Sequence, residues 1–299
     1  MLGAGGIGLL LAGALARSQQ PVTLLMRAET KPKYDGRVRV QSEVLGDFEV
    51  KVPAETELRG DVDVVYVATK AYQLEPALGA LPAARLGRAV VVPMLNGIDH
   101  MELLRAAYPP DQVVAAAIRV ESDRPEPGRV VQRGRFILAD FAVTGPAAAV
   151  ARGAAMEAAA AGVTVRQMDD EKSLLWSKLC LLAPLALATS AVMGPVGEVR
   201  RDSEVRDMWE RTMREACQVA QAEGAEVDLA SVLKAASGLG DGFGTSMQRD
   251  LSAGRPTELE ALAGPIQRAG RRHGIETPAT DELRRLVDER RLPRRTGGG

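Results

Sequence analysis

Apolar positions along this chain fall into two regimes. In the first, Val22–Met26, Val62–Ala68 and Ala89–Leu95 are predominantly apolar runs, the pattern of buried strands. A helix over Leu9–Ala16 leads into the first run, and Gln73–Ala84 can hold another between the second and third. Strands and helices taking turns predict a parallel, doubly wound α/β sheet. Gly36–Val52 instead alternates, with Val38, Val40, Phe48, Val50 and Val52 on one side, and predicts a hairpin. Val113–Val120 and Val130–Ala139 read as further strands, Ala147–Ala161 as an alanine-rich helix and Val163–Val165 as a last short strand. From Glu171 the strand signals stop. Glu171–Ala191, Ser203–Gly224, Asp228–Ser237 and Thr257–His273 all carry helical spacing, with Pro184 expected to kink or end the first of them soon after. The prediction is an α/β domain over residues 1–168, an all-α domain over 169–290 and a polar, glycine-terminated tail over 291–299 expected to be disordered.

Composition narrows the function. A length of 299 residues fits two domains. Lys plus Arg number 38 against 39 Asp plus Glu, a net charge of −1 with no basic footprint, so no nucleic-acid partner is expected. Two cysteines, Cys180 and Cys217, exclude a disulfide framework and fit a reducing compartment. Two histidines, His100 and His273, are too few for most histidine-based metal sites, and no metal is expected. The sequence reading finds no apolar run of the roughly 18 residues a membrane span needs and no signal peptide, and expects a cytoplasmic protein with no membrane partner.

The first chemical signal is Gly3-Ala4-Gly5-Gly6-Ile7-Gly8, a G-x-G-x-x-G turn opening an apolar helix that leads into a strand. One glycine permits the tight turn, one lets backbone approach a pyrophosphate, and one packs helix against strand. The helix N-terminus then offers free N–H groups to the phosphates. In this context the turn predicts a Rossmann-type dinucleotide-binding domain, against the alternative of a plain structural turn. Only Met1 and Leu2 precede Gly3, so the strand feeding the turn is either very short or missing upstream residues; its loss would leave ladder groups unpaired. Where an acid would bind the ribose 2′-hydroxyl of NAD, the chain has Arg27 with no acid beside it. A guanidinium fork suits a 2′-phosphate, which favours NADP(H); a solvated arginine at a strand end is the alternative. Lys70 and Asn96 close two of the predicted strands, where ligands of such sheets sit, although Asn96-Gly97 is also an ordinary turn pair.

In the helical half, Lys178 lies within the stripe of Leu174, Leu175, Leu181 and Leu182. Such a lysine either snorkels to the surface or is held in a pocket as a proton donor. Thr257 before Glu258 and Glu260 reads as an N-cap with acids in the first turn, and that capping role alone would explain Glu258. Cys180 and Cys217 read as core thiols, His273-Gly274 as a helix end, Arg200-Arg201 as solvated.

Taken in order, the Gly3–Gly8 turn, Arg27, Lys70, Asn96-Gly97, Trp176-x-Lys178-Leu179, Ser246-Met247-x-x-Asp250 and Gly254-Arg255-Pro256-Thr257-Glu258 resemble the ketopantoate reductases (2-dehydropantoate 2-reductase, the PanE/ApbA family) over nearly the whole chain. The resemblance implies a helical domain like the C-terminal domain of 6-phosphogluconate dehydrogenase. It also implies hydride transfer from NADPH to the C2 carbonyl of a 2-oxo acid. It places the general acid on Lys178, with Glu258 holding it and binding a substrate hydroxyl. Ser246, Lys70 and Asn96 become substrate contacts, and Gly3, Gly5, Gly6, Ile7, Gly8, Arg27, Lys70 and Asn96 hold the cofactor. Partners are then a small 2-oxo acid and, as an open option, a second copy of the chain. The family's asparagines one and two turns after the lysine are Leu182 and Ala186 here, and its later asparagine and acid fall on Ala263 and Glu260. These departures imply a member that either tolerates them or reduces a more apolar 2-oxo acid or an imine. A non-catalytic NADP-binding sensor is the third option, disfavoured by retention of Lys178 and Glu258.

Overall fold

A computed structural model describes residues 1–291. The chain divides into two compact units, Met1–Leu174 and a second from Leu175 onward. The first contains α1 (Gly6–Arg17), β1 (Leu24–Leu25), β2 (Arg37–Ser42), β3 (Phe48–Lys51), β4 (Ala54–Glu55), β5 (Val64–Val67), α2 (Leu74–Ala77), α3 (Ala83–Leu86), β6 (Val90–Pro93), α4 (His100–Ala107), β7 (Ala116–Glu126), β8 (Arg129–Ala142), α5 (Ala148–Ala160) and β9 (Thr164–Met168).

Its parallel ladder pairs β4 with β1 and β5 with β6, and Leu2 bridges both Leu25 and Val67 between them. The short lead-in to the glycine turn is therefore bonded on both sides: Leu2 N–H donates to Tyr66 O at 2.7 Å on one, and Leu25 N–H donates to Met1 O at 2.7 Å on the other. The predicted strands are right in place but longer than the ladders they form, because pairing ends where the loops at the sheet's edge begin. The expected helix over Gln73–Ala84 is broken into α2, α3 and single 3₁₀ turns. Pro82 lacks a donor and holds Leu81 at φ −129°, outside the helical region.

A second, mixed sheet was not anticipated as a separate layer. Its order is β3-β2-β8-β7, with β9 also paired to β8. Pro127-Gly128 joins β7 to β8 as a two-residue hairpin, with Gly128 at φ +80°. Between the sheets' residues runs α1, apolar all round, with Leu9, Leu10 and Ala12 fully buried and one core cluster reaching from Leu24 and Val92 to Val40, Ile137 and Phe141. Asp140, fully buried on β8, is held by Arg119 and by Arg166 at 2.6 Å.

The second unit is helical: α6 (Glu171–Ala191, which enters it from the first), α7 (Val196–Arg201), α8 (Ser203–Ala222), α9 (Leu229–Ser237), α10 (Ser246–Ser252), α11 (Leu259–His273) and α12 (Pro278–Arg291). Asp202 and Asp228 cap α8 and α9 by accepting from N–H groups of the first turn. Glu215 of α8 accepts from Ala279 N–H and Thr280 N–H and so caps α12, a helix the periodicity does not single out. α6 continues past Pro184 to Ala191, since a proline costs one hydrogen bond and packing replaces it. Contrary to the sequence reading, α6 is long and apolar enough by length and composition to cross a membrane, yet 83% of its most apolar window is buried inside the protein. Arg200 is not simply solvated: it pairs with Asp241 and donates to the carbonyls of Ser237 and Leu239 at 3.0 and 2.8 Å. Arg291 ends α12, and the rest of the tail expected to be disordered lies outside the described residues.

Candidate active site

In the first unit, the three motif glycines occupy three different environments. Gly3 has φ +99°, and a Cβ there would lie 2.8 Å from the Ala68 carbonyl oxygen, so the tight turn admits no side chain. A Cβ on Gly8 would overlap the Gly3 carbonyl oxygen and sit 3.0 Å from its carbon; this is the close packing of helix on turn. Gly5, the N-cap of α1, has only ordinary contact at 3.8 Å, and its absent side chain leaves the approach open. The N–H groups that begin α1 have no acceptor within the helix, and its first turn carries no acid.

Two hydroxyls missed by sequence reasoning flank this turn. Thr69 packs on Gly3, with Cγ2 3.1 Å from a would-be Cβ, and Ser122 of β7 packs on Gly6, with Oγ at 3.0 Å. Both hydroxyl oxygens are buried and have no hydrogen-bond partner among the described residues. A buried hydroxyl without a partner is free to donate to an acceptor that a ligand or a water brings. An open approach at Gly5, N–H groups without an intrahelical acceptor, no acid in the first turn of α1 and two orphan hydroxyls together fit a dinucleotide pyrophosphate. Thr69 adjoins a residue the sequence does flag, but Ser122 comes from a strand far along the chain and carries no local signal.

Arg27 follows β1 at the same edge and is exposed. The structure corrects one point: an acid does stand beside it, Glu29, at 3.2 Å. With both side chains about two-thirds exposed, that pair is weak and easily exchanged for a phosphate. Lys70 and Asn96 each lie three residues past the ends of β5 and β6, whose last residues, Val67 and Pro93, are register partners. The two side chains therefore start level, on adjacent loops at the carboxyl edge of the parallel ladder, where Ala68 and Thr69 also meet the glycine turn.

In the second unit, Lys178 and Glu258 are both buried, at 6% and 4% exposure. They are the only buried lysine and glutamate among the described residues. Burial decides against snorkelling for Lys178. The expected cap at Thr257 is also corrected: Glu258 itself holds the N-cap position of α11, with no side-chain capping bond, and the Thr257 hydroxyl is a buried orphan. Glu258 is thus not explained by capping. Thr245 caps α10 by accepting from Gln248 N–H, and its hydroxyl meets that of Thr189 on α6 at 3.0 Å. Ser246, the first residue of α10, is in this way tied to the helix that carries Lys178. Leu182, one turn beyond Lys178, is partly exposed, whereas Ala186 is buried.

A glycine-turn parallel ladder, followed by a helical domain holding a buried lysine and carboxylate, defines a two-domain, nicotinamide-nucleotide-dependent oxidoreductase. Family models described as "Ketopantoate reductase PanE/ApbA" and "Ketopantoate reductase PanE/ApbA C terminal" match residues 1–140 and 170–291. The chain belongs to the ketopantoate reductase family. It is 31% identical over 288 residues to the 2-dehydropantoate 2-reductase of Mycobacterium tuberculosis, covering 92% of this chain and 95% of that one. Among solved structures, a PanE/ApbA family ketopantoate reductase from Ralstonia eutropha JMP134 superposes with a TM-score of 0.84 at 28% identity, over 97% of both chains. A D-mandelate dehydrogenase shares the fold with a TM-score of 0.87 at 23% identity, over 97% of both chains.

Proposed function

We propose that the chain reduces 2-dehydropantoate (ketopantoate) to pantoate, for pantothenate and coenzyme A synthesis, with NADPH as reductant. The observation that carries this reading is the burial of Lys178 and Glu258, the two charged side chains the reaction requires. When bound, NADPH supplies the hydride to the C2 carbonyl carbon. The Lys178 ammonium donates a hydrogen bond to the carbonyl oxygen, stabilises the negative charge that develops there and passes its proton to complete the hydroxyl. The Glu258 carboxylate balances the ammonium and accepts from a substrate hydroxyl, while Ser246 donates to the substrate's polar end. Lys70 and Asn96 contact cofactor and substrate from the edge of the parallel ladder, and the Gly3–Gly8 backbone with Arg27 holds the nucleotide.

Leu182 favours a second reading within the same chemistry, a more apolar 2-oxo acid, because its partly exposed side chain lies one turn from Lys178. Loss of NADPH absorbance with ketopantoate, NADH and a panel of branched 2-oxo acids separates the two. Fast turnover of ketopantoate supports the first; turnover only of apolar 2-oxo acids supports the second. NADPH binding with no turnover on any of them overturns both. A ketopantoate reductase from Staphylococcus aureus is described as dimeric, which supports a homodimer here. The two buried free thiols support the reducing cytoplasm as its compartment.

A further inference from the structure

β7 connects two ends of the nucleotide site that are unrelated in sequence. At Ser122 the strand touches the glycine turn: a Cβ on Gly6 would lie 2.6 Å from the Ser122 carbonyl oxygen. Two residues further on, about 6.6 Å along a strand, stands Arg124. The β7–β8 ladder is irregular there, passing from Asp123↔Val131 directly to Glu126↔Arg129, so Arg124 falls in a bulge with no cross-strand partner. Bulges re-aim side chains and recur beside binding sites.

The charges around it are uneven. On the same hairpin, Arg119 is paired with Asp140, Arg133 with Asp123 and Arg129 with Glu126. Arg124 has no ion-pair or hydrogen-bond partner among the described residues. Partial burial, and then the like charge of Arg27, hold the Arg124 guanidinium below its ordinary value. The exposed Arg27–Glu29 pair is weak, and two guanidiniums that raise each other's electrostatic energy are relieved by a dianion placed between them.

We propose that Arg124 is the second arm of a guanidinium clamp, with Arg27, on the 2′-phosphate of NADP(H). The assignment rests on the reading that NADP(H) is the cofactor. The placement suits the ligand: the 5′ pyrophosphate and the 2′-phosphate leave one ribose, and β7 runs from Ser122 at the glycine turn to Arg124 beside Arg27. No local sequence pattern links position 124 to position 27; β7 and β1, which Arg27 follows, belong to different sheets, and tertiary packing brings them together.

The test is the dissociation constant of the intact protein for NADPH, NADH, 2′,5′-ADP and 5′-AMP, by nucleotide fluorescence and calorimetry, for wild type, Arg124→Gln and Arg124→Lys. Arg124 is exposed, so both variants are expected to fold, and an unchanged melting temperature checks it. The expected result is an about 10-fold to 100-fold loss for NADPH and 2′,5′-ADP in Arg124→Gln, since a charge-assisted contact is removed. NADH and 5′-AMP stay within about twofold, and Arg124→Lys falls between, keeping charge without the fork. If wild type prefers NADPH and Arg124→Gln keeps that preference intact, the clamp is wrong and the NADP(H) reading stands. Equal losses for NADPH and NADH also overturn the clamp, because Arg124 then does not read the 2′-phosphate. A wild-type preference for NADH overturns the cofactor reading and the clamp with it.

Discussion

The glycine turn allows one perturbation to be worked through quantitatively, because Gly5 and Gly8 differ in what an added methyl would meet. At Gly8 the methyl overlaps the Gly3 carbonyl oxygen, and neither side can yield without moving backbone. Overpacking of this kind costs about 3 kcal/mol, the upper end of its usual range, and alanine's better helix propensity returns about 1. Gly8→Ala is then destabilised by about 2 kcal/mol, which for a unit of this size lowers Tm by roughly 4–8 °C. At Gly5 the nearest heavy atom is 3.8 Å away, an ordinary contact. Loss of the glycine N-cap costs about 0.5 kcal/mol there, so Tm falls by roughly 1–2 °C. The open approach is nevertheless filled, and NADPH affinity is expected to drop at least about tenfold, the loss of one good contact to an anion. Calorimetry for melting and nucleotide fluorescence for binding read the two effects separately. A Gly5→Ala protein that binds NADPH as wild type does would refute the assignment of this turn to the pyrophosphate. A Gly8→Ala protein that melts like wild type would refute the packing argument.

Lys178→Ala should reduce turnover by about 100-fold to 10,000-fold while NADPH binding persists, and undiminished turnover would remove it from the role of acid. Asp140→Asn should cost about 3 kcal/mol at neutral pH, since it leaves Arg119 and Arg166 without their buried partner. Burial opposes ionisation of Asp140, but the hydrogen bonds and charge of Arg166 and Arg119 outweigh it and hold the carboxyl below its ordinary value. A lowered pKa in the folded state stabilises above the unfolded value near about 3.9, and the advantage fades as pH falls through the folded value. The melting difference between wild type and Asp140→Asn should therefore shrink only in acid; a difference constant from pH 7 to pH 2 would contradict this. Hydrogen bonding to Cys217, and then burial, push the Cys180 thiol up, and both thiols are buried. A thiol reagent should count close to none in the native protein and two per chain after denaturation.

What the sequence determined was local. The spacing of Gly3, Gly5 and Gly8 carries the turn, because each position's requirement is set by its own backbone and its immediate neighbours. The change from short β-branched runs to helical spacing after Glu171 carries the two fold classes, and Leu174–Leu182 marks Lys178 as a lysine out of place. Nothing in the periodicity could tell a parallel ladder from a second mixed sheet, since a strand's pattern records that its faces are buried and not which strand lies beside it. Prolines at 82 and 184 show the same limit: the first breaks a helix exposed at the surface, and the second is overridden by packing in a buried one. Glu258 looked like a cap, and only its burial and its missing capping bond separate it from that role. Ser122 and Arg124 were invisible for the same reason that they matter. Ser122 meets the glycine turn, and Arg124 comes under the charge of Arg27, through packing between distant segments, which tertiary structure alone decides.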